Sequence, residues 1–170
     1  MFVSPEPGHT RPMTMTSSIA ISNLAGDADR AAALLALNNA HAAALSWLDP
    51  EQLDRLVRLS FLTRVIGEAD AFLIALDQSA PYDNPNFSWF RARCPKFVYV
   101  DRVVVAEAAR GRGLARILYD EPFAAARASG RDIVVCEINL EPPNPASDAF
   151  QVALGFTEVG SAFIHGAANA

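Results

Sequence analysis

The residues best suited to chemistry lie where a β-branched run meets a short polar turn. Val103–Val105 precede the turn Arg110–Gly113, and an apolar-periodic stretch begins at Leu114. A strand that feeds such a turn directs consecutive backbone N–H groups, and the positive end of a helix dipole, toward one point. Glycines in the turn leave the backbone open to a ligand, because they carry no Cβ. The segment therefore predicts a site for a phosphate or pyrophosphate.

Two common nucleotide-binding motifs do not fit this turn. A P-loop requires a lysine next to its last glycine, but the one lysine of the chain, Lys96, lies upstream. A dinucleotide-binding fingerprint requires a third glycine, and Arg116 occupies that position. The turn is either an anion site of another kind or an ordinary strand-to-helix connection.

A second segment lies downstream, where a helical pattern starts at Asn144 and ends at Gly155. Together the two segments resemble the GNAT family of acetyltransferases. That family's acyl-CoA loop has the pattern Arg/Gln-x-x-Gly-x-Gly/Ala, which is matched at Arg110, Gly113 and Ala115. The order and the separation of the two segments also fit the family.

The resemblance implies an α/β fold, with a mixed central sheet of 6–7 strands flanked by about four helices. The family's fourth and fifth strands, here 96–105 and 132–139, splay apart. The resemblance covers residues 16–165, so we expect a disordered lead-in over 1–15 and a single domain over 16–170. The family usually closes with a further strand, for which little chain remains. We expect that strand to be absent, very short or supplied by a partner subunit, and a shortened sheet edge favours a homodimer.

Local patterns predict the other elements. Asp27 and Asp49-Pro50 are typical of helix starts, and Asn38-Asn39 is expected to end the first helix. In chain order, the predictions are a strand at 18–23, a helix at 27–37, a helix from Pro50, strands at 64–68 and 71–77, a long loop at 78–93, and a helix from Arg112 to about Gly130 that Pro122 kinks or breaks.

The resemblance implies acetyl-CoA as the co-substrate. The backbone of the fourth strand would pair with the pantetheine, and the turn would hold the pyrophosphate. The residues carried over to cofactor binding are Val103, Val104, Val105, Arg110, Gly111, Arg112, Gly113, Leu114, Ala115 and Asn144. Packing in the core is the other role open to the valines, and the two roles are compatible because the family uses their backbone.

Glu137 is the candidate catalytic residue. It lies in the otherwise apolar run 134–139, where a carboxylate has to be paired, hydrated or functional. Its position resembles that of a glutamate proposed as the general base in ribosomal-protein N-terminal acetyltransferases. Desolvation would raise its pKa toward the range useful for deprotonating an ammonium. The alternatives are a residue on a solvated strand face and a salt bridge to a helix arginine.

The sequence departs from the family's pattern at the residue expected to act as the general acid. Many members place a tyrosine seven residues after the asparagine that starts the last helix, to protonate the CoA thiolate, and here that residue is Gln151. Either water protonates the thiolate or another side chain does, with Tyr99 and Tyr119 as the phenols nearby in sequence. We expect that no protein side chain replaces the missing acid. Gln151 also keeps open a second function, a non-catalytic acyl-CoA-binding or sensing module.

Two segments are candidates for recognising the acceptor, a primary amine of a small molecule or peptide. One contains Asn39, and the other is rich in aromatic and amide side chains, including Tyr82, Asp83 and Trp89. A long loop of this composition is suited to lining a pocket, with Asp83 pairing the charge of the amine. Packing of the aromatic rings on the core is the alternative.

Composition limits the class of protein. The chain has 170 residues, 51% of them hydrophobic, which is enough for one domain with a core. A net charge of −5 without a basic stripe argues against nucleic acid as a partner. Two cysteines and three histidines indicate neither a disulfide framework nor a metal site. The sequence lacks a membrane-length apolar run and a signal-peptide pattern, so we expect a cytoplasmic protein.

Overall fold

A mixed β-sheet with helices on both faces organises the chain. The computed structural model describes residues 1–4, 21–22, 24, 27–131, 133–140 and 143–161. The strands are β1 Phe2–Val3, β2 Ile21–Ser22, β3 Leu62–Ile66, β4 Ala71–Asp77, β5 Phe97–Val105, β6 Ile133–Cys136 and β7 Thr157–Glu158. The α-helices are α1 Ala28–Ala40, α2 Ala42–Leu45, α3 Pro50–Leu59, α4 Pro85–Arg91, α5 Leu114–Ala128 and α6 Pro145–Ala153, and a 3₁₀ turn spans Glu107–Ala109.

The sheet has seven strands in the order β2-β3-β4-β5-β6-β1-β7. The strand pairs are antiparallel except β5 and β6, which are parallel. One apolar cluster packs α1, α3 and α4 on one face, and a second packs α5 and α6 on the other. Residues 71–76 of β4 are inaccessible to solvent because both faces of this strand are covered. The predicted α/β fold with a mixed sheet is confirmed.

Side-chain caps start the helices where the sequence predicts them. Asp49 and Gln52 form a reciprocal capping box at α3, with Pro50 as the first helical residue. Asp27 accepts a hydrogen bond from the backbone N–H of Arg30 at the start of α1. Pro122 lies inside α5, which continues past it to Ala128. The described residues contain no helix that is both long and apolar enough to cross a membrane.

Two helix predictions are wrong. Asn38 and Asn39 do not end α1, because their side chains find partners in the segment after the helix, and α1 continues to Ala40. The predicted loop at 78–93 contains α4, which starts at Asn84, whose side chain accepts from two backbone N–H groups. With α2 also formed, the described part of the chain has six α-helices and not about four.

The start of the chain belongs to the sheet. Phe2 and Val3 pair with β6 on one side and with β7 on the other, antiparallel to both. The side chains of Met1 and Phe2 are buried, and the backbone N–H of Ser4 donates to the carbonyl of Val134. The expectation of disorder is therefore wrong for residues 1–4, because pairing with β6 and β7 orders them. Residues 5–15 lie outside the described residues. The family's further closing strand, expected to be absent, very short or supplied by a partner, would follow β7 and lies outside the described residues.

An extra residue in β5 changes the direction of its side chains. Ile74 of β4 pairs with Arg102 while the next residue, Ala75, pairs with Val100, so Asp101 is left without a partner in β4. A β-bulge of this kind bends the strand and increases its twist. Before the bulge, the odd-numbered Tyr99 faces the α1 side of the sheet. After it, even-numbered residues face that side.

The strands β5 and β6 separate at the bulge. Their parallel register runs from Phe97 opposite Ile133 to Val100 opposite Cys136, and ends there. Residues 101–105 continue β5 alongside β4 only, so the other edge of this half of β5 has no strand partner among the described residues. The predicted splay of the family's fourth and fifth strands is confirmed, and these strands are β5 and β6 here because β1 adds one to the count.

The bulge also buries Arg102. Its guanidinium donates to the side-chain oxygen of Asn38 at 2.8 Å and to the carbonyls of Leu45 and Ser46 at 3.0 and 3.3 Å. Its Nε lies 3.2 Å from a carboxylate oxygen of Asp101. Hydrogen bonds and an opposite charge offset the cost of removing the guanidinium from water. Arg102 thus attaches the α1–α2 segment to β5.

We expect Arg102→Met to lower the free energy of unfolding by about 3–5 kcal/mol, because it leaves the Asp101 carboxylate buried without its counter-ion. Urea denaturation measures the change. Arg58→Met is the matched control, since Arg58 pairs with Asp54 on the exposed face of α3 and should change stability by about 0.5 kcal/mol or less. An Arg102→Met protein as stable as the control would show that the contacts of Arg102 do not stabilise the fold.

Candidate functional site

A cleft opens where β5 and β6 separate. Its volume is about 480 Å³, and its walls come from α2, the second half of β5, the turn after it, the ends of β6 and the first turns of α5 and α6. Six of the ten predicted cofactor residues line the cleft, and Glu137 does so as well: Val103, Val104, Val105, Arg110, Ala115 and Asn144. A second cavity of about 450 Å³ lies between α1 and α3 and has a largely apolar lining.

The turn before α5 has a backbone suited to an anion. Gly111 and Gly113 have φ values of 77° and 74°, a region that L-residues with a Cβ rarely adopt. A Cβ at either position would meet no atom within 4 Å, so both glycines face open space. Gly113 precedes the first residue of α5 without a side-chain cap, which leaves the N–H groups of the first turn uncapped. These groups can bind a phosphate.

Four predicted cofactor residues do not line the cleft with their side chains. The glycines contribute backbone only. Arg112 is directed away, because its guanidinium donates to the carboxylate of Asp70 at 2.9 Å. Leu114 is buried in the core beneath α5.

Arg110 is held at the cleft by a histidine. Its Nη2 lies 3.2 Å from Nε2 of His41, at the junction of α1 and α2. Nδ1 of the same ring lies 3.0 Å from the carbonyl of Leu37, an acceptor, so Nδ1 carries the proton. Nε2 is then the acceptor for Arg110, and the pair positions a guanidinium beside the turn.

Glu137 follows the last paired residue of β6. One of its carboxylate oxygens accepts a hydrogen bond from the hydroxyl of Tyr99, which is fully buried. Burial raises the pKa of Glu137, hydrogen bonds from Tyr99 and Asn86 lower it, and the negative charge of Asp101 raises it further. The net effect is a raised pKa, as the sequence predicts for a carboxylate in an apolar run.

Asp101 is a second carboxylate on the cleft wall, and sequence reasoning missed it. Its Oδ1 accepts from the hydroxyl of Tyr82 at 2.8 Å, and its Oδ2 faces Arg102. Burial raises its pKa, which Arg102 and the hydrogen bond from Tyr82 counteract. The sequence signal was the single acidic residue that interrupts the β-branched run of β5.

The inner end of the cleft contains a buried phenol and an amide. Nε2 of Gln151 donates to the hydroxyl oxygen of Tyr119 at 2.7 Å, and the two residues are 4% and 1% exposed. The Oε1 atom of Gln151 is buried without a hydrogen-bond partner. The thiol of Cys136 lies beside Tyr119, and burial raises its pKa to about 12.

The four predicted acceptor residues are not among those that line the cleft. The side chain of Asn39 bonds the backbone N–H and carbonyl of Leu48 at 2.9 and 2.8 Å, so it secures the segment after α2. Asp83 is exposed. Trp89 packs edge-on against Phe90, which is a core contact. Tyr82 reaches the cleft only through its hydrogen bond to Asp101.

The segment 82–91 nevertheless contributes a contact to the site. Its helix α4 places the side chain of Asn86 against Glu137. The end of α1 and the helix α2 contribute His41, Ala44 and Leu45 to the cleft. Asn139 joins this side of the cleft, because its amide donates to the carbonyl of Ala44 at 2.9 Å. Within the described ranges there is no cluster of three or more His, Cys, Asp or Glu side chains that could hold a metal ion.

We expect Glu137→Gln to stabilise the protein, increasingly so as the pH rises. The folded-state pKa of Glu137 is raised, so its ionisation costs no stability below the unfolded-state pKa of about 4.3; the cost grows between that value and the folded-state pKa and is constant above it. Glutamine does not titrate, and its amide oxygen keeps the hydrogen bond from Tyr99. Melting curves from about pH 4 to 8 measure the difference in Tm between variant and wild type. A difference that is constant over this range would show that Glu137 ionises without penalty.

Comparisons with solved structures give the same architecture. The aminoglycoside N-acetyltransferase AAC(6')-Iy, in complex with the bisubstrate analogue CoA-S-monomethyl-acetylneamine, has a TM-score of 0.65 at 17% identity, over 88% of this chain and 97% of that one. The aminoglycoside 6'-N-acetyltransferase AAC(6')-IG of Acinetobacter haemolyticus has a TM-score of 0.63 at 19% identity, over 91% and 100% of the two chains.

A third structure contains a bound cofactor. The putative acetyltransferase yncA of Salmonella typhimurium, solved with acetyl-CoA, is 25% identical over 83% of this chain and 80% of its own, with a TM-score of 0.57. No curated protein sequence matches the chain. The model of the acetyltransferase (GNAT) family matches residues 38–156, which is more than half of the chain and includes the cleft-lining parts of β5, α5 and α6. The chain belongs to the GNAT family of acetyltransferases.

Proposed function

We propose that the protein transfers an acetyl group from acetyl-CoA to a primary amine by direct attack on the thioester. The observation that carries this proposal is the presence, in one cleft, of a glycine turn with uncapped N–H groups and a half-buried carboxylate of raised pKa, Glu137. The turn follows β5 and Glu137 follows β6, and these two strands separate between them.

The cleft fits acetyl-CoA in three respects. The pyrophosphate would lie on the N–H groups at 111–115, beside the guanidinium that His41 positions. The pantetheine amides would pair with the backbone of Val103–Val105, because that edge of β5 has no strand partner. The unpartnered Oε1 of Gln151 indicates that the inner end of the cleft is completed by a ligand or water.

Glu137 is suited to accept the proton of the incoming ammonium. A raised pKa makes the carboxylate a stronger base, while the hydroxyl of Tyr99 and the amide of Asn86 hold its orientation. The neutral amine nitrogen forms a bond to the carbonyl carbon, the bond from that carbon to sulfur breaks with the electron pair on sulfur, and the nitrogen releases its second proton to water. Backbone N–H groups of β5 near the thioester would stabilise negative charge on the carbonyl oxygen.

The acceptor that we propose is a cationic small-molecule or peptide amine. Two carboxylates, Glu137 and Asp101, line the cleft and favour an ammonium group. Two of the similar structures are aminoglycoside N-acetyltransferases, and aminoglycosides are amines of this class. A homodimer and a cytoplasmic location stay predictions from the sequence.

The second candidate is an acyl-CoA-binding or sensing module without turnover. The observation in its favour is Gln151, an amide at the position where the family's acid is a tyrosine. A thiol-release assay with acetyl-CoA and a panel of amines separates the two functions. Amine-dependent release of CoA supports the transferase, and tight CoA binding without release with any amine supports the module.

We expect Gly113→Glu to abolish thermal stabilisation by CoA. The substitution places a negative charge in the proposed phosphate site, and repulsion of the pyrophosphate follows. Gly130→Glu is the matched control, because Gly130 has a φ of 66°, faces equally open space and lies at the other end of α5. The control bears the same backbone strain and should keep the CoA-induced shift in Tm. A normal shift in Gly113→Glu would mean that the phosphate site lies elsewhere.

We expect Glu137→Gln to lower kcat/KM by about 10²–10⁴-fold, the usual contribution of a general base. The loss should shrink at high pH, where more of the amine is already neutral. The basic limb of the pH–rate profile should show no tyrosine pKa near about 10. Glu121→Gln is the control, since Glu121 pairs with Arg64 outside the cleft. Activity of Glu137→Gln within a few-fold of wild type would reject the base assignment.

A further inference from the structure

We propose that the hydroxyl of Tyr119, held by Gln151, donates the hydrogen bond that stabilises the departing thiolate. The inference deepens the proposed function and rests on it, because it assigns a role at the inner end of the same cleft. Tyr119 thereby has a catalytic role in addition to its packing in the core.

The phenol is fixed in position by its surroundings. Tyr119 lies one turn into α5, and its ring contacts Phe150 and Phe156 in edge-on geometry at centroid distances of 5.7 and 5.8 Å. Phe123 packs on the same ring at 6.1 Å. Although the residue is 1% exposed, it forms part of the cleft wall together with Gln151. The ring therefore has little freedom to move, and Tyr119 borders the cleft beside Gln151.

Gln151 is the donor in its hydrogen bond with Tyr119, so the proton of the phenol takes no part in that bond. Nε2 of Gln151 is the donor and the phenol oxygen is the acceptor, at 2.7 Å. The neighbouring sulfur of Cys136 is a weak acceptor, and its thiol stays protonated because burial raises its pKa to about 12. A thiolate in the cleft is a stronger acceptor, since it carries a full negative charge. Among the described residues, the hydroxyl of Tyr119 thus has only the weak acceptor Cys136, to which it hydrogen-bonds.

The phenol acts as a donor without releasing its proton. Burial raises the pKa of Tyr119 well above the ordinary value for tyrosine, so the oxygen keeps its hydrogen at neutral pH. When the carbon–sulfur bond breaks, the electron pair goes to sulfur, the hydroxyl hydrogen-bonds to it, and water supplies the proton that yields the free thiol. This agrees with the sequence prediction that no side chain replaces the missing acid, and it adds the group that stabilises the thiolate in its place.

Gln151 is a positioning residue in this arrangement. The family places a tyrosine at its position on α6, and here the amide binds a phenol oxygen that comes from α5. The buried Oε1 of Gln151 remains open to a donor from a ligand or water. Gln151→Met should therefore weaken the stabilisation of the thiolate by Tyr119 without abolishing it. The substitution removes the hydrogen bond that orients the hydroxyl but keeps the hydroxyl itself.

The first test titrates the thiol of bound CoA by its thiolate absorbance. In the wild type, we expect the thiol pKa to lie below that of free CoA, and in Tyr119→Phe to return toward it, a change in thiolate population of about tenfold at one pH. Ser60→Ala is the control, because it removes a hydroxyl that bonds Val57 outside the cleft, and it should titrate as the wild type does. Equal thiol pKa values in wild type and Tyr119→Phe, or no binding of CoA, would overturn the proposal.

The second test varies the leaving group. With acetyl-CoA, Tyr119→Phe should lower kcat by about 10- to 100-fold with a smaller change in KM. With an acetyl thioester of a more acidic thiol, the loss should shrink, because a better leaving group needs less stabilisation. An equal loss with both donors would show that Tyr119 is only structural. If the wild type binds CoA but acetylates no amine, the proposed function fails, and the thiol titration still decides the role of Tyr119.

Discussion

The bulge at Asp101 is the feature on which the site depends. One additional residue in β5 reverses which side chains face the α1 side of the sheet, and the pairing of β5 with β6 ends beside it. Arg102 is thereby directed under α1 and α2, where buried hydrogen bonds hold the helices that form one wall of the cleft. Without the extra residue, Arg102 would face α5, and its buried partners would be lost.

The separation of the strands places unlike groups at a common opening. Beyond the bulge, the unpaired edge of β5 and the uncapped start of α5 provide N–H donors, while β6 provides a carboxylate at Glu137. The donors favour an anion and the carboxylate favours a cation, which supports the proposal of two substrates of opposite charge. The buried hydroxyl of Tyr99 and the hydroxyl of the half-buried Tyr82 each donate to one carboxylate, which lowers the cost of keeping two acidic residues in the cleft.

Local sequence signals predicted the elements that are defined by neighbours along the chain. The cap at Asp49, the turn at 110–113 and the helix start at Asn144 depend on residues three or four positions apart, and each was predictable. The N-terminal strand depends on partners more than 130 residues away, and Asn39 bonds Leu48, nine residues away beyond α2; no pattern of three or four residues indicates either contact. The pairing of Gln151 with Tyr119 joins two helices in the same way, so sequence alone showed a missing tyrosine but not what lies beside the amide.

The central claim is that the cleft between β5 and β6 binds acetyl-CoA. Residue-resolved amide hydrogen exchange, with and without CoA, tests it most directly, because the cavity between α1 and α3 is of similar volume and gives a competing location. The account predicts that CoA slows exchange at Val103–Val105 and at residues 111–115 and leaves α3 unchanged. Protection confined to residues 28–35 and 50–57, with no change along β5 or at the start of α5, would contradict it.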